Sequence, residues 1–181
     1  MKRPLIAVFG SSTLRRTDPE YTTAHELGRR LAEAGADLMT GGYGGAMEAC
    51  SRGCHEAGGH VIGITVEMFE SRGGPNQWVK ERVHTSDLFD RLRHLVSRAD
   101  GFIAVPGSVG TLTEVLFTWT MLSSGGRRPA PLVLLGAPWQ EYLGAHRRAD
   151  LVHPEQFEFV STARTVDDAT RLVLEGVSAA R

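Results

Sequence analysis

Residues 102–115 read FIAVPGSVGTLTEV: an apolar run ends at Pro106, breaks into Gly107, Ser108, Val109, Gly110 and Thr111, and then resumes a helical pattern that carries Glu114. Glycines let backbone amides converge on an anion, because they tolerate unusual dihedrals and leave room. A helix that starts at such a loop adds its unpaired N–H groups and the positive end of its dipole. The hydroxyls of Ser108 and Thr111 supply further donors, so a phosphate is the natural occupant. Glu114 has two readings. Thr111-Leu112-Thr113-Glu114 matches a capping box, in which the glutamate reaches back to the Thr111 amide. The same carboxylate could instead act on a bound substrate, and the residues alone leave both open.

Arg91 lies one helix earlier, beside the apolar positions of SDLFDRLRHLVSRAD. A guanidinium offers a permanent charge and a rigid fork of donors suited to phosphate or sugar hydroxyls. A solvated arginine on an amphipathic helix is the plainer reading, and it also stays open. Two further glycine turns, GSST at 10–13 and GGYGG at 41–45, add Ser11 and Gly44 as candidate phosphate or substrate contacts. Taken singly, each reads more readily as an ordinary αβ turn.

Several familiar chemistries lack their residues. A dinucleotide fingerprint would need glycine where GYGGAM has Met47. There is no Gly-Lys-Ser/Thr of a P-loop. A nucleophile elbow would need glycine at Pro106. HELGR has Arg29 where a zinc protease needs its second histidine. Cys50 and Cys54 are spaced i, i+4 beside His55, but no second ligand pair has suitable spacing, so they read as small buried residues. No metal and no cofactor is expected.

The elements that must hold these residues alternate. Strands are expected in LIAVFG, DLMTGG, HVIGITV, GFIAVPG and PLVLLG, with a short one in ERVHT and a late one in FEFVS. Between them fall helices over PEYTTAHELGRRLAEAG (Asp18 able to cap), YGGAMEACSRGCHEAGG, SDLFDRLRHLVSRAD, TLTEVLFTWTMLSSGG, the region of WQEYLGAHRR, and VDDATRLVLEGV. The stripe of the third helix is Leu88, Leu92, Leu95, Val96 and Ala99. EMFESRGGPNQW reads as a long loop. This alternation predicts an α/β, three-layer, Rossmann-like fold, a mostly parallel sheet with helices on both faces, in one domain over 1–181. Ligands in such sheets sit at the carboxyl ends of the strands, so the three glycine turns should converge in one cleft.

The chain of 181 residues has a net charge of −1 and 41% hydrophobic residues. Balanced charge argues against a nucleic-acid surface. No apolar run approaches membrane-spanning length, and MKRPLIAVFG is too short and too interrupted for a secretion signal. Two cysteines fit a reducing compartment, so a cytoplasmic location is expected.

PGSVGTLTE resembles the PGGxGTxxE signature of the LOG family, the cytokinin riboside 5′-monophosphate phosphoribohydrolases once mislabelled lysine decarboxylases. LFDRLRHLVSRADGFIAVPG resembles the segment carrying that family's MHxRK motif, with Arg91 at the matching distance from Pro106. TGGYGGAMEACSRGCHEAGGHVIGIT and VFGSS resemble its second and first glycine turns. The resemblance runs from about residue 5 to the last helix, and is closer to bacterial nucleotide-binding relatives than to the plant enzymes. It implies a catalytic pair Arg91 and Glu114, a phosphate loop Gly107, Ser108, Val109, Gly110 and Thr111, and a substrate contact at Thr120. It also implies a nucleoside monophosphate substrate (AMP or N6-modified AMP) and a homodimer, with neither nucleic acid nor membrane as partner. The sequence departs from the pattern at Ser108, where the family has glycine, and at Leu92, where it has lysine. The acidic residue of the loop after the third strand is also missing; spacing points to Gly73, with Glu67 and Glu70 nearby. Two other readings share the scaffold: a non-catalytic nucleotide or molybdenum-cofactor carrier, and a DprA-like single-strand binder.

Overall fold

The most apolar segments of the chain form the middle of the sheet. In the computed structural model, which describes residues 3–148 and 152–180, β1 (Leu5–Phe9) lies between β2 (Asp37–Thr40) and β5 (Gly101–Ala104). Beyond β2 come β3 (Val61–Val66) and β4 (Glu81–Thr85); beyond β5 come β6 (Leu132–Leu135) and β7 (Val160–Ala163). The order is β4-β3-β2-β1-β5-β6-β7, and every pairing is parallel. Chain order therefore reverses at the β1–β5 boundary. The carboxyl ends of the strands diverge there and open a crevice.

Among the described residues, six α-helices cover the two faces. α1 (Pro19–Glu33), α2 (Ala46–Glu56) and α6 (Val166–Ala179) enclose one core with Ile6, Val8, Leu38 and Ile103. α3 (Leu88–Arg98), α4 (Val109–Ser123) and α5 (Ala137–Arg148) enclose the other with Phe9, Met39, Phe102 and Leu134. α1 and α2 approach unusually closely. A methyl group on Gly28 would overlap the Cys50 carbonyl, and one on Gly53 would overlap that of His25. Cys50 and Cys54 are fully buried at this seam, and the Cys50 thiol donates to Ala24 O over 2.9 Å.

Local detail departs from the sequence expectation at four places. The late strand comes later than 157–161: residues Pro154–Phe159 form a 3₁₀ turn, and β7 follows at Val160. Tertiary contact overrides strand propensity here, because Trp119 Nε1 donates to Gln156 O (2.7 Å) and the Phe157 ring packs edge-on against Trp119. The segment after β3 is not wholly loop, since Glu67–Arg72 winds into another 3₁₀ turn. Asp18 occupies the N-cap position of α1, yet its carboxylate accepts from Arg15 N (2.7 Å) instead of a helix amide. On α3, Leu88 is exposed, while Leu95, Val96 and Ala99 are buried together with Arg91.

Candidate functional site

The three glycine turns meet around one cleft of about 580 Å³ at the crevice between β1 and β5. The turn after β1 brings Gly10, Ser12 and Thr13; the turn after β2 brings Tyr43 and Gly44; α2 contributes Met47. The segment after β3 supplies Phe69, Gly73 and Gly74, and the loop after β5 with α4 supplies Ser108, Gly110, Thr111 and Glu114. Arg91 comes from α3.

Close approach explains several of these glycines. A methyl group at Gly10 would come within 2.6 Å of Val105 Cγ2 and Ala46 Cβ. One at Gly107 would overlap the Thr111 side chain and sit 2.9 Å from Ser11 N. Gly45 has φ of +66° and begins α2 directly over the Ser11 carbonyl, which accepts from Ala46 N over 2.8 Å.

α4 begins at Val109 with Ser108 as N-cap, and the Ser108 side chain makes no capping bond. The bond from Leu112 N to Ser108 O (3.0 Å) is the first of the helix. The amides of Val109, Gly110 and Thr111 thus lack helical acceptors and are available to an anion. This start also rules out the capping box for Glu114. It stands beyond the first turn, too far along to close a capping box. Its carboxylate turns to Arg91 Nη1 over 3.1 Å, while Arg91 Nε donates to Ile64 O over 3.0 Å.

Both partners are buried, Arg91 at 7% and Glu114 at 9% exposure. Burial raises the Glu114 pKa above the ordinary carboxylate range, and the charge and hydrogen bond of Arg91 only partly offset it. Gly41 makes the pair possible, since a side chain there would occupy the space of the Arg91 guanidinium. Arg91 thus takes a core-facing position on α3 that leucine could have filled, and it ends in the cleft instead of in solvent.

The cleft brings together Arg91, Glu114, Ser108, Gly110, Thr111 and Gly44. Gly107 lies just behind, its backbone pressed on Thr111. Ser11 is turned inward: its hydroxyl pairs with Thr13 Oγ1 (2.9 Å) and accepts from Thr13 N, and its neighbours Ser12 and Thr13 line the cleft instead. Val109 opens α4 with its side chain 76% exposed. Thr120 is exposed on the outer face of α4 and is not among the residues that line the cleft.

Sequence reasoning missed Tyr43, Met47, Phe69 and Asn76. The Tyr43 hydroxyl accepts from Val66 N (2.8 Å) and donates to Val66 O (2.9 Å). Asn76 Nδ2 donates to the carbonyls of Gly42 and Tyr43. A tyrosine inside a glycine-rich turn was the one signal available for these. Gly73, the position to which the family spacing points, lies on the cleft wall, while Glu70 pairs with Arg82 and Glu67 is exposed.

Among the described residues, no helix is long and apolar enough to cross a membrane. A family model described as the SLOG cluster4 family matches residues 3–124. The rice (Oryza sativa subsp. japonica) cytokinin riboside 5′-monophosphate phosphoribohydrolase LOG is 30% identical over 177 residues, 96% of this chain and 69% of that protein. The Arabidopsis thaliana enzyme LOG7 is 33% identical over 131 residues, 71% of this chain and 60% of that one, so the match spans less than two thirds of its length. Among solved structures, the molybdenum cofactor binding protein from Rippkaea orientalis superposes with a TM-score of 0.76 at 26% identity, covering 97% of this chain and 98% of that one. Together with the parallel sheet, these likenesses place the chain in the LOG family, within the group described as SLOG cluster4.

Proposed function

We propose that this protein hydrolyses the N-glycosidic bond of a nucleoside 5′-monophosphate, AMP or an N6-modified AMP, to free base and ribose 5-phosphate. The observation that carries this reading is the buried Arg91–Glu114 pair lining the same cleft as the unpaired amides of α4. The cleft volume suits a small ligand. The phosphate sits on the Ser108–Thr111 amides and hydroxyls, and its binding energy fixes the ribose beside Glu114. Cleavage of the bond between C1′ and the base nitrogen builds positive charge on the anomeric carbon and ring oxygen. The Glu114 carboxylate stabilises that charge and takes a proton from the attacking water, whose oxygen ends on C1′, while the base leaves with the C1′–N electron pair and takes up a proton from solvent. Arg91 holds the carboxylate in place and presents its guanidinium to the ribose phosphate.

The test is release of base from a panel of nucleoside monophosphates, led by AMP. Glu114→Gln keeps the side chain's shape and an acceptor for Arg91, so nucleotide binding persists while turnover falls by roughly 10² or more. Equal release by the variant would remove Glu114 from the chemistry. Binding without release by the wild type would favour the second reading, a carrier of nucleotide or molybdenum cofactor as cargo. That reading is supported by the likeness to the Rippkaea protein and by Leu92 in place of the family's lysine.

The proposal includes a homodimer. α4 leaves Leu116 and Phe117 at 40% and 37% exposure on the side away from the cleft, an apolar arc that a second copy would cover. The net charge of −1 favours free nucleotides over nucleic-acid strands. Two free, buried cysteines are compatible with a cytoplasmic setting.

A further inference from the structure

Resting on the nucleotide reading above, we propose that the Tyr43–Phe69 pair is the base subsite and that it selects by shape, accepting a flat aromatic ring while hardly reading its polar edge. Both rings line the cleft, packed edge to face with centroids 5.9 Å apart, and Met47 lines it with them. The α4 amides and the Ser108 and Thr111 hydroxyls lie on a different element and serve the phosphate, which leaves the aromatic wall for the base.

The wall is held rigidly. The Tyr43 hydroxyl is engaged in both directions by the Val66 backbone, so it has no proton left for a ligand and the ring cannot swing. Asn76 ties the far end of the same segment back to the Gly42–Tyr43 carbonyls through its side chain, and its own N–H donates to Gly42 O over 2.8 Å. The 67–74 segment is therefore anchored to the turn after β2 at both ends, which sets Phe69 against Tyr43. Among the described residues that line the cleft there is no Asn or Gln, the amides that read a base edge by paired hydrogen bonds; Arg91 and Glu114 are engaged with each other, and Ser12 and Thr13, on the turn after β1, offer single hydroxyls. Gly73 and Gly74 also line it, and a side chain on either would meet nothing within 4 Å, so a substituent on the base has room beside Phe69.

The experiment measures KM and kcat of the full chain for AMP, IMP and an N6-alkyl AMP, with ribose 5-phosphate as a competitive inhibitor that lacks a base. In the wild type, kcat/KM for AMP and IMP stays within about a hundredfold, the most an apolar pocket imposes between near-isosteres. Phe69→Ala raises KM for every nucleotide by about five- to a hundredfold, the loss of one stacking surface. The same variant leaves the inhibition constant of ribose 5-phosphate unchanged, and Phe69→Trp restores KM. Tyr43→Phe keeps the ring but frees the segment, and gives a smaller rise in KM with kcat retained. The proposal is overturned by an unchanged KM in Phe69→Ala, by equal weakening of ribose 5-phosphate, or by discrimination between AMP and IMP beyond that range. If the wild type releases no base at all, the hydrolytic reading fails. Equilibrium binding of AMP against ribose 5-phosphate to the same variants then decides the subsite by itself.

Discussion

An alanine at Gly41 would carry its methyl group into the guanidinium of Arg91. The added carbon would overlap Nη2, lie 3.0 Å from Cζ and sit 2.7 Å from Met47 Sδ. Relaxed contacts are about 3.5–4.0 Å, and Nη2 would stand at only about half that separation from the new carbon, so the guanidinium must retreat by roughly 1.5–2 Å. Its bond to Glu114 already measures 3.1 Å, and a retreat of that size takes it past hydrogen-bonding range. A hydrogen bond to a charged group contributes about 1.5–3 kcal/mol. If that is lost from the transition state, kcat/KM for base release falls by about ten- to a hundredfold. The pH profile supplies a second readout. Burial raises the Glu114 pKa and Arg91 opposes the rise. The carboxylate is the active form, so activity is lost as pH falls through this pKa, and the wild-type acid limb lies above the ordinary carboxylate range. Displacing Arg91 removes the opposing influence, and the acid limb of Gly41→Ala moves to still higher pH. Gly41 itself is not at positive φ, so the variant carries no backbone strain to confuse the outcome. A variant with kcat/KM within twofold (about 0.4 kcal/mol) of wild type and an unmoved acid limb would refute this account of how Gly41 and Arg91 fit together.

Three further outcomes are expected. Gly107→Ala presses on Thr111 and Ser11 N, so it raises the inhibition constant of ribose 5-phosphate by about tenfold or more, the scale of losing a charge-assisted bond to the phosphate; competitive inhibition assays check this. Native Cys50 and Cys54 react negligibly with a thiol reagent at neutral pH, since burial raises the Cys50 pKa strongly and pushes that of Cys54 up to about 12; in denaturant both react at the rate of free cysteine, a contrast visible in a timed titration. Phe117→Glu, on the exposed arc of α4, yields a monomer in sedimentation, while a wild-type dimer is seen at micromolar concentration.

Much of this molecule could be read before its structure was known. Alternating apolar runs and amphipathic stretches dictate the α/β class, because each strand must be buried on both faces and each helix must cover one of them. The PGSVGT loop was legible as an anion-binding turn from residue type and spacing, whereas Arg91 and Glu114 were candidates with two readings each until the family resemblance paired them. Folding alone decided which way the side chains turn. Glu114 could equally have capped its own helix, and only the start of α4 at Val109 points it at Arg91. Ser11 and Ser12 are adjacent and chemically identical, yet one closes its turn and the other faces the cleft. Gly41 and Tyr43 stood inside a glycine-rich turn whose partners the sequence did not name, and Phe69 and Asn76 had no local signature, because the roles of all four come from contacts between segments tens of residues apart. Sequence period fixes which elements form and roughly which face is apolar. Who meets whom across the crevice depends on strand order and on the few places where a missing Cβ lets a charged group through, and those exist only once the sheet is assembled.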